Sequence, residues 1–491
     1  MMKNRMLALL LLAVMLTACA KSGVTDPGAS KTTENTDTTA DAVPESTETE
    51  ELPALPSALD FGGKTFTFGV VDNPNARNPI VMEELTGEAL NDAQYNTVQE
   101  TGDTLNVQIA EFLMECGYPA AQDVINTVTA GDDAIQVANI YCAGIPRVLT
   151  GGYVLSYNDV PYIDLTKSWW DKKVSDTLVL SGIRYAVNGH LTITTHDLTY
   201  ALVFSKGQIT DNGLESPYDL VNSGAWTMDK MAEYMVAVTN DTNGDGKFTD
   251  ADHYGYASSV KMTLPSFWIG AGETTITLDA DEIPQMSMEG ERFYSVIDKI
   301  FAITYDSGAR FKSKSENDVP ADAITMFEND RVLFMDCSLF YIAALRDMET
   351  DFGIIPYPKF DEEQQDYCAR VSYFMPSVLP STNRDMELIG AVMEYINYSA
   401  KKNITPAYYD ITLKGKVSRD VESVEMLDLI LDNRVVDLGD TLFCASVRDG
   451  FFTAMYRSDN RDLASVLQKN EKSLQKEIDN MVKGITGQTD S

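Results

Sequence analysis

The densest run of metal-ligating side chains is Asp241-Thr-Asn-Gly-Asp-Gly-Lys-Phe-Thr-Asp-Ala-Asp252. Oxygen donors recur at every second residue, at Asp241, Asn243 and Asp245, and Gly246 follows where a calcium loop must turn sharply. In that template Lys247 offers its carbonyl, Thr249 binds directly or through water, and the twelfth residue closes the shell. Asp252 stands there in place of the usual Glu, and its shorter side chain reaches less far for bidentate coordination. Met231 to Val238 read as helix before the loop, whereas Tyr254-Gly-Tyr-Ala-Ser-Ser after it does not. The spacing therefore predicts a structural calcium staple rather than a helix-loop-helix sensor.

A second chemically marked position is Cys19, which ends the run Leu16-Thr17-Ala18-Cys19. Lys3 and Arg5 give a positive start, and Met6 to Leu16 form an apolar stretch of secretory-signal length, too short to cross a bilayer. Leu-Thr-Ala-Cys resembles the bacterial lipobox, whose cysteine takes a diacylglyceryl group before cleavage and becomes the new N-terminus. That motif implies a removed signal over 1–19 and a lipid anchor at Cys19, holding the chain at the extracellular face of the cell membrane. Residues 20–56 are rich in Thr, Ser, Ala, Pro and acids with almost no large apolar side chain. They bury too little to offset the entropy of ordering and read as a disordered tether.

What the chain lacks narrows its chemistry further. Cys116, Cys142, Cys337, Cys368 and Cys444 are an odd set without CxxC spacing, which is not a disulfide framework. His190, His196 and His253 are the only histidines, and none is spaced for zinc. GxSxG, GxxxxGK[ST] and GxGxxG are missing, so hydrolase-elbow, P-loop and dinucleotide chemistry have no footing. A formal charge of -36 argues against nucleic acid and favours a neutral or cationic ligand.

The elements that must position any site read as β-α-β-α-β at the start. Lys64 to Val71 alternates and then runs apolar as a first strand, Leu105 to Ile109 is a second, and Ala134 to Tyr141 a third. Helical stretches lie between them, through Leu90–Glu100 and Asp123–Thr129. That order implies a mostly parallel sheet covered on both faces, with ligands at the carboxyl ends of its strands. Tyr185 to Phe204 is long, β-rich and punctuated by polar residues, as a segment running between two lobes would be. Thr227 is a plausible cap for a helix after Trp226, whose ring reads as core. Arg331–Asp336 and Asp351–Pro358 are strand-like, and Asp462 to Ile485 is an amphipathic helix.

Several segments in order resemble the extracellular solute-binding lipoproteins of bacterial ABC importers, above all the carbohydrate-binding group. They are Gly151-Gly152-Tyr-Val-Leu, Leu165-Thr-Lys-Ser-Trp-Trp-Asp171, Tyr200-Ala-Leu-Val-Phe-Ser-Lys206, Gly224-Ala-Trp-Thr-Met-Asp229 and Asp351-Phe-Gly-Ile-Ile-Pro-Tyr-Pro-Lys359. Pro406-Ala-Tyr-Tyr409 and Arg419 to Asp428 are similar to segments of Gram-positive members. The resemblance implies an α/β, two-lobed periplasmic-binding-protein-like fold of type II, with crossing strands as hinge. On that pattern lobe 1 spans 57–198 and recovers part of 352–382, lobe 2 spans 199–350 with the calcium-type loop, and 383–491 packs on both. It also implies a monomer that captures a sugar in the cleft, hands it to a membrane permease and performs no catalysis. A secreted glycoside hydrolase, or a ligand sensor or peptide binder of the same fold, are the alternatives.

Sugars present flat C–H faces and many hydroxyls, so aromatic and Asp or Asn side chains at strand ends are the residues to seek. By that criterion the ligand-contacting candidates are Tyr141, Asp197 with its neighbour His196, and Asp336, Phe340 and Tyr341 after the strand read to end at Met335. Trp268, flanked by Gly and Pro, reads as a loop aromatic able to stack on a sugar; Asp72 and Tyr373 rank below these.

Overall fold

The computed structural model describes residues 51–72, 79–117, 119–315, 317–343, 345, 348–409 and 420–487. Cys19, its signal and most of the tether lie outside the described residues, as does Arg419 of the resembling segments. The strands that carry the architecture are, in chain order, β1 (Lys64–Val71), β2 (Val107–Met114), β3 (Val137–Asn139), β4 (Val154–Leu155), β5 (Ala186–Val187), β6 (Tyr200–Ser205) and β7 (Tyr254–Ser258). They continue as β8 (Arg310–Lys312), β9 (Val332–Ser338), β10 (Phe352–Ile355), β11 (Ala369–Arg370), β12 (Ser377–Pro380) and β13 (Arg434–Val435).

Two sheets result. The first runs β2-β1-β3-β12-β4, with β5 also on β12; the second runs β8-β7-β9-β6-β10. β1 pairs in parallel with β2 and β3, and β7 with β8 and β9. The strands adjoining the crossings, β6 and β12, run antiparallel to their neighbours. Each sheet is therefore mixed rather than mostly parallel: the βαβ part is parallel, as the sequence order requires, and the returning chain adds antiparallel strands. The chain crosses from first sheet to second between β5 and β6, and back between β10 and β12. A parallel ladder of β11 on β13 and a bridge of Thr199 to Val371 tie the crossing segments together.

Alternation along each strand explains the cores. In β1, Phe66, Phe68 and Val70 point to one face, where Leu388, Val392 and Ile396 of the helix Met386–Pro406 cover them. Ala138 and Ile140 around β3 face the other way, into a core shared with Ala120 and Val124 of the helix Pro119–Thr129, with Val148 and Leu149 of the helix Ile145–Thr150, and with Leu474, Ile478 and Met481 of the terminal helix Leu463–Thr486. In the second sheet, Leu202, Phe204 and Phe334 meet Trp226, Met231 and Met235. Ala201, Val203 and Met335 meet Met326, Leu427 and Ile430 on the opposite face. Trp226 closes that core, its indole N–H donating to Pro356 O at 3.0 Å, and Thr227 Oγ1 accepts from Lys230 N at 3.3 Å as the helix cap. Among the described residues no helix is long and apolar enough to cross a membrane.

Candidate functional site

In both sheets the loops after the parallel strands lie beyond the carboxyl ends of those strands, and the loops after β2, β3, β7 and β8 are joined through Tyr141, Tyr373 and Lys261. The first sheet contributes Asp72 after β1, Cys116 after β2 and Tyr141 after β3; the second contributes Lys261 after β7, Asp318 after β8, and Phe340 and Tyr341 after β9. This is where open α/β sheets hold ligands, because crossovers leave strand ends and their loops uncovered by helices.

Tyr141 is half-buried, its hydroxyl 3.5 Å from Cys116 Sγ, and its ring meets that of Tyr373 edge-on, centroids 6.4 Å apart. Tyr373 belongs to the returning segment between β11 and β12, so a residue of the hinge stands beside the first sheet's rim. From the second sheet, Lys261 Nζ donates to the Tyr373 hydroxyl at 3.4 Å. The same ammonium lies 3.8 Å from Asp318 and 3.6 Å from Asp449. Phe340 and Tyr341 are half-buried neighbours with rings at 89°, and the nearby Asp318 charge adds to burial in pushing up the Tyr341 phenol. Burial pushes up the Tyr141 and Tyr373 phenols as well, so all three rings stay protonated.

Beneath this surface lies a buried ion network. Arg370 Nε and Nη2 donate to Asp440 at 2.7 and 2.9 Å, a bidentate pair with both side chains at 0% exposure. Arg448 donates to Asp440 Oδ1 at 3.3 Å and to Asp449 at 2.7 and 3.1 Å, while its guanidinium carbon sits 4.2 Å over the Tyr373 ring. Ser372 Oγ accepts from both arginines at 3.1 Å. Although burial works against it, Arg448 and Lys261 hold the Asp449 carboxyl below the usual carboxylate range. Tyr373 has a φ of 56°, a left-handed conformation that disfavours an aromatic residue and is maintained by these contacts.

Four of the sequence candidates are placed elsewhere. Trp268 is fully buried, its indole N–H donating to Asp437 at 3.0 Å and its ring packed on Phe293 and Phe452, so it presents no face to a ligand. It sits in a helix, Thr263–Gly270, whose first turn accommodates Pro265, rather than in a loop. Asp336 lies inside β9, which runs on to Ser338, and is buried with Oδ2 accepting from Ser258 at 3.0 Å and Ser266 at 3.2 Å. Asp197 is buried in a helical turn and accepts the Tyr408 O–H at 2.9 Å. His196 lies edge-on to Tyr408 in a crevice with His190, Leu431 and Arg434, remote in lining from the strand-end cluster.

The calcium-type loop has the turn chemistry of its template but not its closing ligand. Asp241 accepts from Gly244 and Gly246 amides at 2.8 and 2.7 Å, Asn243 from Asp245, and Asp245 from Lys247, with Gly246 at φ 76°. Asp252 spends both oxygens on backbone amides, Oδ1 on Thr242 at 2.9 Å and Oδ2 on Thr249 at 2.7 Å, and Thr249 Oγ1 adds 3.1 Å. Among the described residues no three His, Cys, Asp or Glu come together to hold a metal. As arranged, the loop does not fit a seven-ligand shell: the short Asp252 is turned onto amides where a Glu would reach the ion.

The strand-end criterion that selects Tyr141 also reaches Lys261 and Asp318, but only once β7 and β8 are known, and these strands of 5 and 3 residues carry no clear pattern in the sequence. Arg448 and Asp449 carry no sequence signal; they lie in a buried helical turn, Val447–Phe452.

No protein-family model matches the chain, and no curated protein sequence does. Solved structures do share its fold. The GacH receptor of Streptomyces glaucescens, solved unliganded and with acarbose, is 14% identical with a TM-score of 0.55, over 85% of this chain and 99% of that one. An ABC substrate-binding protein from Listeria monocytogenes in complex with cycloalternan is 12% identical at TM-score 0.52, over 87% and 100%. The maltose/maltodextrin-binding domain of Bdellovibrio bacteriovorus bound to maltotriose is 14% identical at 0.51, over 86% and 99%. At such identities the likeness establishes the fold, a two-domain periplasmic-binding-protein-like α/β architecture whose neighbours are sugar-binding proteins of ABC systems.

Proposed function

We propose that the chain captures a carbohydrate, of oligosaccharide size, between its two sheets and delivers it to an ABC permease from a lipid anchor at Cys19. The observation that carries this reading is the strand-end cluster, in which aromatic rings from both lobes and the hinge (Tyr141, Tyr341, Tyr373) stand beside paired charges. Rings offer faces to sugar C–H groups, and Lys261, Asp318 and Asp449 offer donors and acceptors to hydroxyls. The binding proteins that share the fold support capture rather than hydrolysis. A lipid at Cys19 on a tether would keep the carrier near its membrane partner by high effective concentration.

Titration calorimetry against malto-, xylo-, manno- and galacto-oligosaccharides, with an assay for released product, tests the reading. Binding without turnover is expected, and Tyr341→Ala is expected to weaken it by about 1–3 kcal/mol while the protein stays folded. Turnover would replace capture by a hydrolase, and binding of none of these sugars would end the carbohydrate assignment. Radiolabelled palmitate incorporated by wild type and lost in Cys19→Ala tests the anchor.

Calcium at 241–252 remains a proposal supported by the ligand spacing and the turn at Gly246. Binding would require Asp252 to leave the Thr242 and Thr249 amides. A calcium-dependent rise in melting temperature, abolished by Asp241→Ala, is the expected result; superimposable curves in EDTA and in calcium would refute it.

A further inference from the structure

The Tyr373 hydroxyl is more constrained than an ordinary tyrosine at a cleft surface. A phenol has one proton to give and two lone pairs to receive with. Both lone-pair directions are occupied: Arg448 Nη2 donates to the oxygen from below, and Lys261 Nζ donates at 3.4 Å from the second lobe. No acceptor for the phenolic proton is found among the described residues. The network underneath is buried, with Arg448, Asp440, Ser372 and Arg370 each at 0% exposure, yet Tyr373 itself is partly exposed. The chain also holds this residue at a φ of 56°, a conformation maintained against its own preference, and such outliers gather at ligand clamps.

We infer that Tyr373 is a specificity-determining residue whose O–H, oriented by the two cations behind it, donates to an acceptor oxygen of the bound ligand. The inference rests on the carbohydrate reading above and deepens it. Because Arg448 and Lys261 saturate the oxygen, Tyr373 cannot accept from a ligand donor, so it discriminates between a ligand oxygen that accepts and a group that only donates. An ether or hydroxyl oxygen of a neutral sugar satisfies it; an ammonium at that position is rejected. Burial, with the Asp318 and Asp449 charges, outweighs the opposing pull of Arg448 and keeps the phenol protonated, which preserves the donor.

The test uses the full chain and whichever oligosaccharide of the calorimetric panel it binds most tightly, together with singly deoxygenated analogues. Tyr373→Phe keeps the ring over Arg448 and removes only the hydroxyl. Its expected effect is about 10- to 100-fold weaker binding by a chain that still folds, and loss of discrimination at one deoxy position. Wild-type affinity and wild-type discrimination in Tyr373→Phe would overturn the inference while leaving carbohydrate capture intact. Failure of the wild type to bind any sugar would overturn both. Should Tyr373→Phe unfold, Lys261→Met retains the hydroxyl but frees one lone pair. Its discrimination among deoxy analogues is expected to shrink, and unchanged discrimination would refute the orientation argument.

Discussion

Replacing Asp440 by Asn isolates the energetics of the platform under the site. Asp440 receives 2.7 and 2.9 Å bonds from Arg370 and a 3.3 Å bond from Arg448, and all three side chains are at 0% exposure. Arg448 would keep Asp449 at 2.7 Å after the substitution. Arg370 would keep no hydrogen-bonded carboxylate: its remaining hydrogen-bond partners are Ser372 at 3.1 Å, Ser266 at 3.4 Å and Met262 Sδ at 3.1 Å, the Tyr200 ring 4.5 Å away offers only a face, and Asp336 acts on it through charge alone. The cost is thus that of stranding one buried guanidinium, about 3–5 kcal/mol, and not of stranding two. Against a total stability of roughly 5–15 kcal/mol, that is a large loss. Urea unfolding followed by circular dichroism measures it. Arg370→Met removes the charge that would be stranded, so the double variant Asp440→Asn with Arg370→Met should recover at least half of the loss, about 2 kcal/mol. A single-variant loss below about 1 kcal/mol, or a double variant as unstable as the single, would refute the assignment of the platform to this ion pair.

Three further outcomes follow from other parts of the fold. Burial, against the pull of Arg370, raises the Asp336 carboxyl to about 6, so its protonated form is favoured on folding; stability from this group is complete below the unfolded value near 3.8 and is lost as pH rises through 6. Melting curves from pH 4 to 8 should show that decline, and Asp336→Asn should flatten it; an unchanged slope would contradict the assignment. Trp268→Phe should cost about 1–2 kcal/mol through the lost bond to Asp437 yet leave ligand affinity unaltered, which calorimetry on the purified variant decides. Gly484→Ala should destabilise by about 1–3 kcal/mol, because a Cβ there would lie 2.5 Å from Thr150 Cα where the terminal helix crosses the first lobe; an unchanged melting temperature would show that the helices separate freely.

How far the sequence revealed these features depended on whether the signal was local. The first strand read as Lys64 to Val71 has those bounds because alternation and burial coincide along it. The terminal helix read as Asp462 to Ile485 runs Leu463–Thr486, with Asp462 as its cap through Ser465 N. Tyr141 follows a strand end in both readings. Asp336 failed because strand length decides what counts as an end: three more residues of β9, Asp336 to Ser338, turn it from a loop residue into a buried neighbour of Ser258. Trp268 failed because Pro265 falls in the first turn of a helix, which tolerates it, while Gly270 and Gly272 mark the end of that helix rather than a loop around the ring. Arg448 was invisible because its partners are 8 and 75 residues away, at Asp440 and Tyr373, and no pattern in one dimension brings them together.

Charge offers a last argument about the ligand. A formal charge of -36 favours a neutral or cationic ligand, and the site narrows that choice because it does not share the excess. Arg370, Arg448 and Lys261 face Asp440, Asp449 and Asp318, three cations to three anions, each within 4.0 Å of a partner of opposite sign. Fields from the many surface acids are screened over about 8–10 Å at ordinary ionic strength, whereas the paired charges at the strand ends act directly on whatever lies between them. A cationic ligand would meet Lys261, and an anionic one would meet Asp318 and Asp449. The solute that meets no like charge it cannot avoid is a neutral one rich in hydroxyls, with an oxygen placed to accept from Tyr373.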